Sequence, residues 1–121
     1  MRELDQQPLP ECPIARFLVV LEGPWATLVV RELLPGPKRF TELRAALPGI
    51  SPKTLSARLK RLEETGLVTR TAYPEVPPRV QYELTPAGAR LRRVLETMAE
   101  WAEQDLPITT TTFAVRATPM E

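Results

Sequence analysis

Histidine is absent from the chain, and cysteine occurs once, at Cys12. A metal site needs three or four Cys, His or carboxylate ligands close together, so this inventory argues against a metal-sensing device. A His-activated nucleophile cannot be assembled at all. No Gly-rich loop is present to cradle a phosphate. These gaps leave little room for an enzyme, and no cofactor is expected. No apolar run approaches the roughly 18 residues that cross a bilayer, and no basic-then-apolar leader opens the sequence. A cytoplasmic protein without membrane contact is therefore expected.

What is present fits one domain with appendages in 121 residues, 43% of them hydrophobic and 26% charged. The formal net charge is only +1, but its distribution is uneven. Lys38, Arg39, Arg44, Lys53, Arg58, Lys60 and Arg61 stand against Glu42 alone, a local net of +6. Acids gather towards the ends, at Glu3, Asp5, Glu11, Glu96, Glu100, Glu103, Asp105 and Glu121. A segregated positive stretch is the footprint of a polyanionic partner.

Within that stretch, Gly49 to Gly66 reads as a helix with both ends marked. Ser51 suits the N-cap, Pro52 the first helical position and Gly66 the left-handed stop. Leu55, Leu59 and Leu62, at i, i+4 and i+7, form one apolar stripe. At 100° per residue, Lys53, Ala57, Lys60 and Glu64 lie opposite it, with Thr54 and Arg61 on one shoulder and Ser56 on the other. A solvated amphipathic helix looks similar in isolation; its neighbours distinguish the two. Arg39 to Leu47 forms a preceding helix, with Phe40, Leu43 and Leu47 inward and Thr41 as its cap. Pro48-Gly49-Ile50 makes the tight turn.

After Gly66, Leu67–Ala72 and Arg79–Leu84 are β-rich runs that pair as a hairpin, its tip Tyr73–Pro78 stiffened by three prolines. The expected fold class is α+β, mostly α: a winged helix-turn-helix with a two-stranded wing and added N- and C-terminal dimerisation helices. Arg70 and Arg79 on the wing either reach phosphates and a narrow minor groove or are solvated strand residues.

The flanks complete the plan. Residues 1–11 read as a flexible arm, 12–106 as the domain and 107–121 as a flexible tail. One helix opens at Pro13 with Ile14, Phe17, Leu18, Val19, Val20 and Leu21, and another spans about Pro24 to Leu34. Trp25 on the second is a core anchor or lines a ligand pocket. Thr85-Pro86 repeats the cap-plus-proline signature and starts one long helix ending near Asp105. Leu91, Val94, Leu95, Met98 and Trp101 make its apolar stripe wider than one small domain needs. This stripe is either half of a two-fold interface, with the helix that begins at Pro13, or a face folded back on its own core.

Several strings together resemble the HxlR-type winged-helix transcription regulators of bacteria and archaea. They are Cys12-Pro13, Gly23-Pro24-Trp25, Arg31-Glu32-Leu33-Leu34, Arg39-Phe40-Thr41-Glu42-Leu43, Leu47-Pro48-Gly49-Ile50-Ser51, Gly66-Leu67-Val68-Thr69-Arg70, the wing from Tyr73 to Thr85, and Gly88. The sequence departs from the usual pattern at Pro24, where a lysine commonly precedes the tryptophan. The resemblance implies a homodimer on duplex DNA with two inverted half-sites, and in some members a response to oxidants or electrophiles through a cysteine placed like Cys12. Here that thiol is either a buried small hydrophobe or a redox sensor. Standing just before a helix favours its thiolate. With one cysteine per chain, a disulfide would have to be intermolecular.

On this basis the recognition helix enters the major groove. Lys53 and Lys60 meet phosphates or guanine edges, while Ser51, Thr54, Ser56 and Ala57 line the approach to base edges or a thymine methyl. Arg39, Arg44 and Arg61 anchor the backbone. Half-sites are expected about 34 to 36 Å apart. Two alternatives stay open: a winged-helix module that contacts an acidic protein, and a regulator sensing an unknown small-molecule effector in a dimer cleft beside Trp25 and Trp101.

Overall fold

A computed structural model describes residues 8–108. The arm and tail expected at the termini therefore fall largely outside the described residues. Among these, the chain forms helices α1 (Pro13–Val20) and α2 (Gly23–Leu33), strand β1 (Lys38–Arg39), and helices α3 (Phe40–Ala46) and α4 (Pro52–Glu64). Strands β2 (Val68–Tyr73) and β3 (Arg79–Leu84) follow, then α5 (Pro86–Ala89) and α6 (Leu91–Asp105).

The helix-turn-helix pair sits on a wholly apolar core. Leu43 of α3, Leu47 and Ile50 of the turn, and Leu55, Leu59 and Leu62 of α4 are buried with Val29, Val30 and Leu33 of α2. The stripe predicted for α4 is thus the inner face of the domain. Burying each leucine is worth roughly 1.5 to 3 kcal/mol. Because α2 packs against α3, α4, β3 and α6, it is the central strut.

Both ends of α4 close as its sequence requires. Ser51 Oγ accepts the Thr54 N–H at 3.0 Å. At the far end Leu67 N–H donates to the Leu62 carbonyl at 2.9 Å and Gly66 N–H to that of Glu63 at 3.1 Å. This double closure needs the residue past the cap in the left-handed region, and Gly66 has φ +81°. The start of α3 differs from expectation. Phe40 is already helical, and the Glu42 carboxylate reaches back to accept the Arg39 N–H at 2.7 Å. The orphan donor at this end is therefore met by an acid three residues into the helix rather than by a Thr41 hydroxyl.

The wing hairpin gains a third strand. Lys38 and Arg39 pair antiparallel with Tyr82 and Gln81, giving the order β1-β3-β2. Arg39, expected inside a helix, thus ends a strand. In β2–β3 the register runs without interruption from Val68 opposite Leu84 to Tyr73 opposite Arg79. Paired residues share a face and neighbours alternate. Lys38, Tyr82 and Arg70 therefore lie on one face, and Arg39, Gln81, Thr71, Tyr73 and Arg79 on the other.

The long C-terminal helix is broken. Thr85 caps α5 by accepting the Gly88 N–H at 3.1 Å, and its hydroxyl donates to the Gly66 carbonyl at 2.7 Å. Just past the four residues of α5, Arg90, at φ −70° and ψ −10°, interrupts the spiral before α6 restarts. The cause is a conflict of docking: α5 packs at the foot of β3 while α6 runs along α2. Arg92 fixes the second contact, donating to the Leu34 carbonyl at 3.0 Å. Among the described residues no single helix is long and apolar enough to span a membrane; α1 and α2 are apolar together but bent by 83°.

Candidate nucleic-acid interface

The outward side of α4 carries the residues read from its sequence. Lys53, Ser56, Ala57 and Lys60 are exposed, and Thr54 is half-buried. Ser51 does more than cap. Its hydroxyl is also within hydrogen-bonding distance, 3.0 Å, of Thr54 Oγ1, so the cap holds the Thr54 side chain as well as its N–H. Arg44 on α3 and Arg39 at the end of β1 are exposed. Arg61 is placed differently, half-buried with its Nε closed off from solvent.

The two wing arginines do not act as a pair, since the register puts them on opposite faces. Arg70 is exposed beside Tyr82 on the face it shares with Lys38. Arg79 is held at the tip. Its Nε donates to both Glu75 carboxylate oxygens at 3.2 Å, and Nη2 donates to Oε2 at 2.7 Å. The guanidinium lies 3.8 Å from the centre of the Tyr73 ring. Arg79's hydrogen bonds hold the Glu75 carboxyl below the ordinary glutamate range; desolvation opposes this, and the charges of Arg79 and Arg39 add to it. Sequence reasoning missed this trio, because Tyr73, the last residue of β2, reads as part of the proline-rich tip that holds Glu75 and carries no period.

Cys12 is exposed in the single chain. It occupies the N-cap of α1 without a side-chain cap bond. Arg16 donates to the Pro10 carbonyl at 3.1 Å, tying down the segment just before it.

The stripe on α6 divides. Leu91 and Leu95 pack against the chain's own core. Val94, Met98 and Trp101 are 40%, 48% and 57% exposed, and on α1 Ile14 and Leu18 are 72% and 61% exposed. A groove of about 630 Å³ between them is lined by Phe17, Leu18, Leu21 and Met98 among others. Trp25 lies elsewhere, half-buried against the core with its ring edge at the Gly49 turn. Neither tryptophan lines this groove. Among the described residues no group of three or more Cys, Asp or Glu could hold a metal ion.

A helix-turn-helix with a cationic outer helix, followed by an arginine-bearing hairpin, defines a winged-helix regulator. The HxlR-like helix-turn-helix family profile matches residues 20–109. The chain belongs to that family, as a transcriptional regulator of the helix-turn-helix type. It is 45% identical over 98 residues to the HTH-type transcriptional regulator sll1512 of Synechocystis, covering 78% of this chain and 73% of that protein. The reduced form of the transcriptional regulator YodB from Bacillus subtilis superposes with a TM-score of 0.70 at 39% identity, covering 79% of this chain and 95% of that one. The redox regulator HypR in its oxidised form superposes with a TM-score of 0.72 at 37% identity, covering 78% and 97%.

Proposed function

We propose that this protein is a homodimeric, sequence-specific regulator of transcription that binds duplex DNA at two inverted half-sites. The observation that carries the reading is α4: capped at both ends, seated by its leucine stripe, and presenting Lys53, Ser56, Ala57 and Lys60 outward. Such a helix fits the major groove, with lysines for phosphates or guanine edges and small residues for close approach to bases. Arg39 and Arg44 supply sequence-independent attraction at its flank. The exposed apolar residues of α1 and α6 support a two-fold interface that carries two such helices.

The signal we assign to Cys12 is oxidative or electrophilic. Its exposure meets the access that such chemistry needs, and HypR, a relative of similar fold, is a redox regulator. With one thiol per chain, the products open to it are an intersubunit disulfide, a mixed disulfide with a small thiol, or a covalent adduct. A gel shift with DNA from upstream of the gene, with and without oxidant, tests both parts. A specific shift that oxidant abolishes in the wild type but not in Cys12→Ser supports the whole reading. A shift indifferent to oxidant removes the role of Cys12. No shift above that of random DNA at physiological salt, with this and other genomic fragments, sinks the DNA-binding reading in favour of protein contact.

A further inference from the structure

Resting on the reading that the wing meets duplex DNA, we infer that Glu75 is a specificity-determining residue: it clamps the Arg79 guanidinium against Tyr73 and cancels its charge. The wing tip then discriminates between DNA sequences instead of adding to the attraction for any phosphate.

The geometry separates two things an arginine brings to DNA, long-range charge and short-range directed donors. The fork to Glu75 uses the Nε–H and one Nη2–H, leaving the Nη1 donors and the other Nη2–H to meet acceptors. Tyr73, the register partner of Arg79, covers one face of the guanidinium. A side chain held on two sides has lost its rotamer freedom before DNA arrives, so less is lost on contact. The carboxylate at 2.7 Å removes most of the pull on a phosphate several ångströms away, because an ion pair's field falls off faster than a lone charge's. What remains is a directed donor set whose value depends on groove width and on acceptors at the groove floor, both functions of sequence. The exposed cations Arg39 and Arg44 already provide general attraction, so an uncompensated Arg79 would strengthen binding to random DNA along with binding to the operator.

The test compares two fluorescent duplexes by anisotropy over a range of salt, one scrambled and one recovered from a random pool by the wild-type protein. Wild type, Glu75→Gln, Arg79→Gln and the double variant are titrated. Freeing one cation for one phosphate adds about 0.9 to the salt slope, which is about five-fold in affinity near 0.15 M salt. Glu75→Gln is therefore expected to bind scrambled DNA about five-fold tighter, with the steeper slope, and to gain less on the selected duplex. In the Arg79→Gln background the same change is expected to do neither. An equal gain with and without Arg79 overturns the inference, since Glu75 would then be a plain surface negative charge; so does no gain. Early melting of Glu75→Gln would make the clamp scaffolding and overturns it too. If no sequence is enriched from the pool, the DNA-binding reading itself has failed, and that is seen before any variant is made.

Discussion

Replacing Gly88 by alanine sets two effects of opposite sign against each other. In a helix, alanine is favoured over glycine by up to about 1 kcal/mol, so propensity alone predicts a more stable protein. Packing predicts the reverse. A Cβ on Gly88 would collide with the Leu67 carbonyl oxygen and press on Leu84 Cδ2 at 3.0 Å. That carbonyl cannot swing away freely, because it accepts the Thr85 N–H at 3.0 Å. The neighbouring Thr85 hydroxyl is tied to Gly66 at 2.7 Å. Overpacking of this kind costs about 1 to 3 kcal/mol, and losing the hydrogen bond about 1 more. With the propensity gain subtracted, Gly88→Ala should destabilise by about 2 kcal/mol. For a domain near 100 residues that lowers the melting midpoint by roughly 10 °C. The measurement is urea and thermal unfolding at one fixed protein concentration, since an oligomer's midpoint moves with concentration. An unchanged or raised midpoint refutes the argument and shows that the foot of the wing yields at little cost.

Other substitutions probe the remaining surfaces. Lys53→Ala should change which bases are preferred at one position of the site, whereas Arg44→Ala should weaken all sequences alike and lower the salt slope by about one unit; a selection experiment with salt titrations separates them. Met98→Glu, in the exposed strip of α6, should shift sedimentation from dimer to monomer while leaving helix content unchanged, and persistence of the dimer removes α6 from the interface. Glu75 should titrate below the ordinary glutamate range by carboxyl NMR and return towards it in Arg79→Gln. A depressed acid pKa means a contact present at neutral pH and lost as acid takes the pH through the folded value, so the clamp is intact at physiological pH.

The parts of the fold legible in the sequence were those that signal locally. For α4, a serine, a proline, three leucines and a glycine each marked one feature, and the structure keeps all of them. Two residues of β1 carry no period, so nothing could announce that strand before its partner was placed. The faces of Arg70 and Arg79 follow from register alone, but a six-residue tip leaves register undetermined until the hairpin is built. Arg90 breaks the last helix because α5 and α6 dock on different elements, a tertiary conflict invisible to a cap-plus-proline signature. The glycine at 88 could be seen but not explained until the Leu67 carbonyl was found where its side chain would be.

The short strand β1 also fixes the order in which the molecule can come apart. Its two pairs join residues 38 and 39 to 82 and 81, closing a loop of about forty residues that contains α3, α4, β2 and the first half of β3. Such a closure forms late, after the intervening chain has folded enough to bring its ends together. Once made, it ties the start of α3 to β3, so that the helix-turn-helix and the wing share one closure. Amide exchange at this closure then reports cooperative opening of the two together rather than fraying of a two-residue strand. A ligand gripping α4 and the wing together should slow exchange at Lys38 and Arg39 along with the reading surfaces.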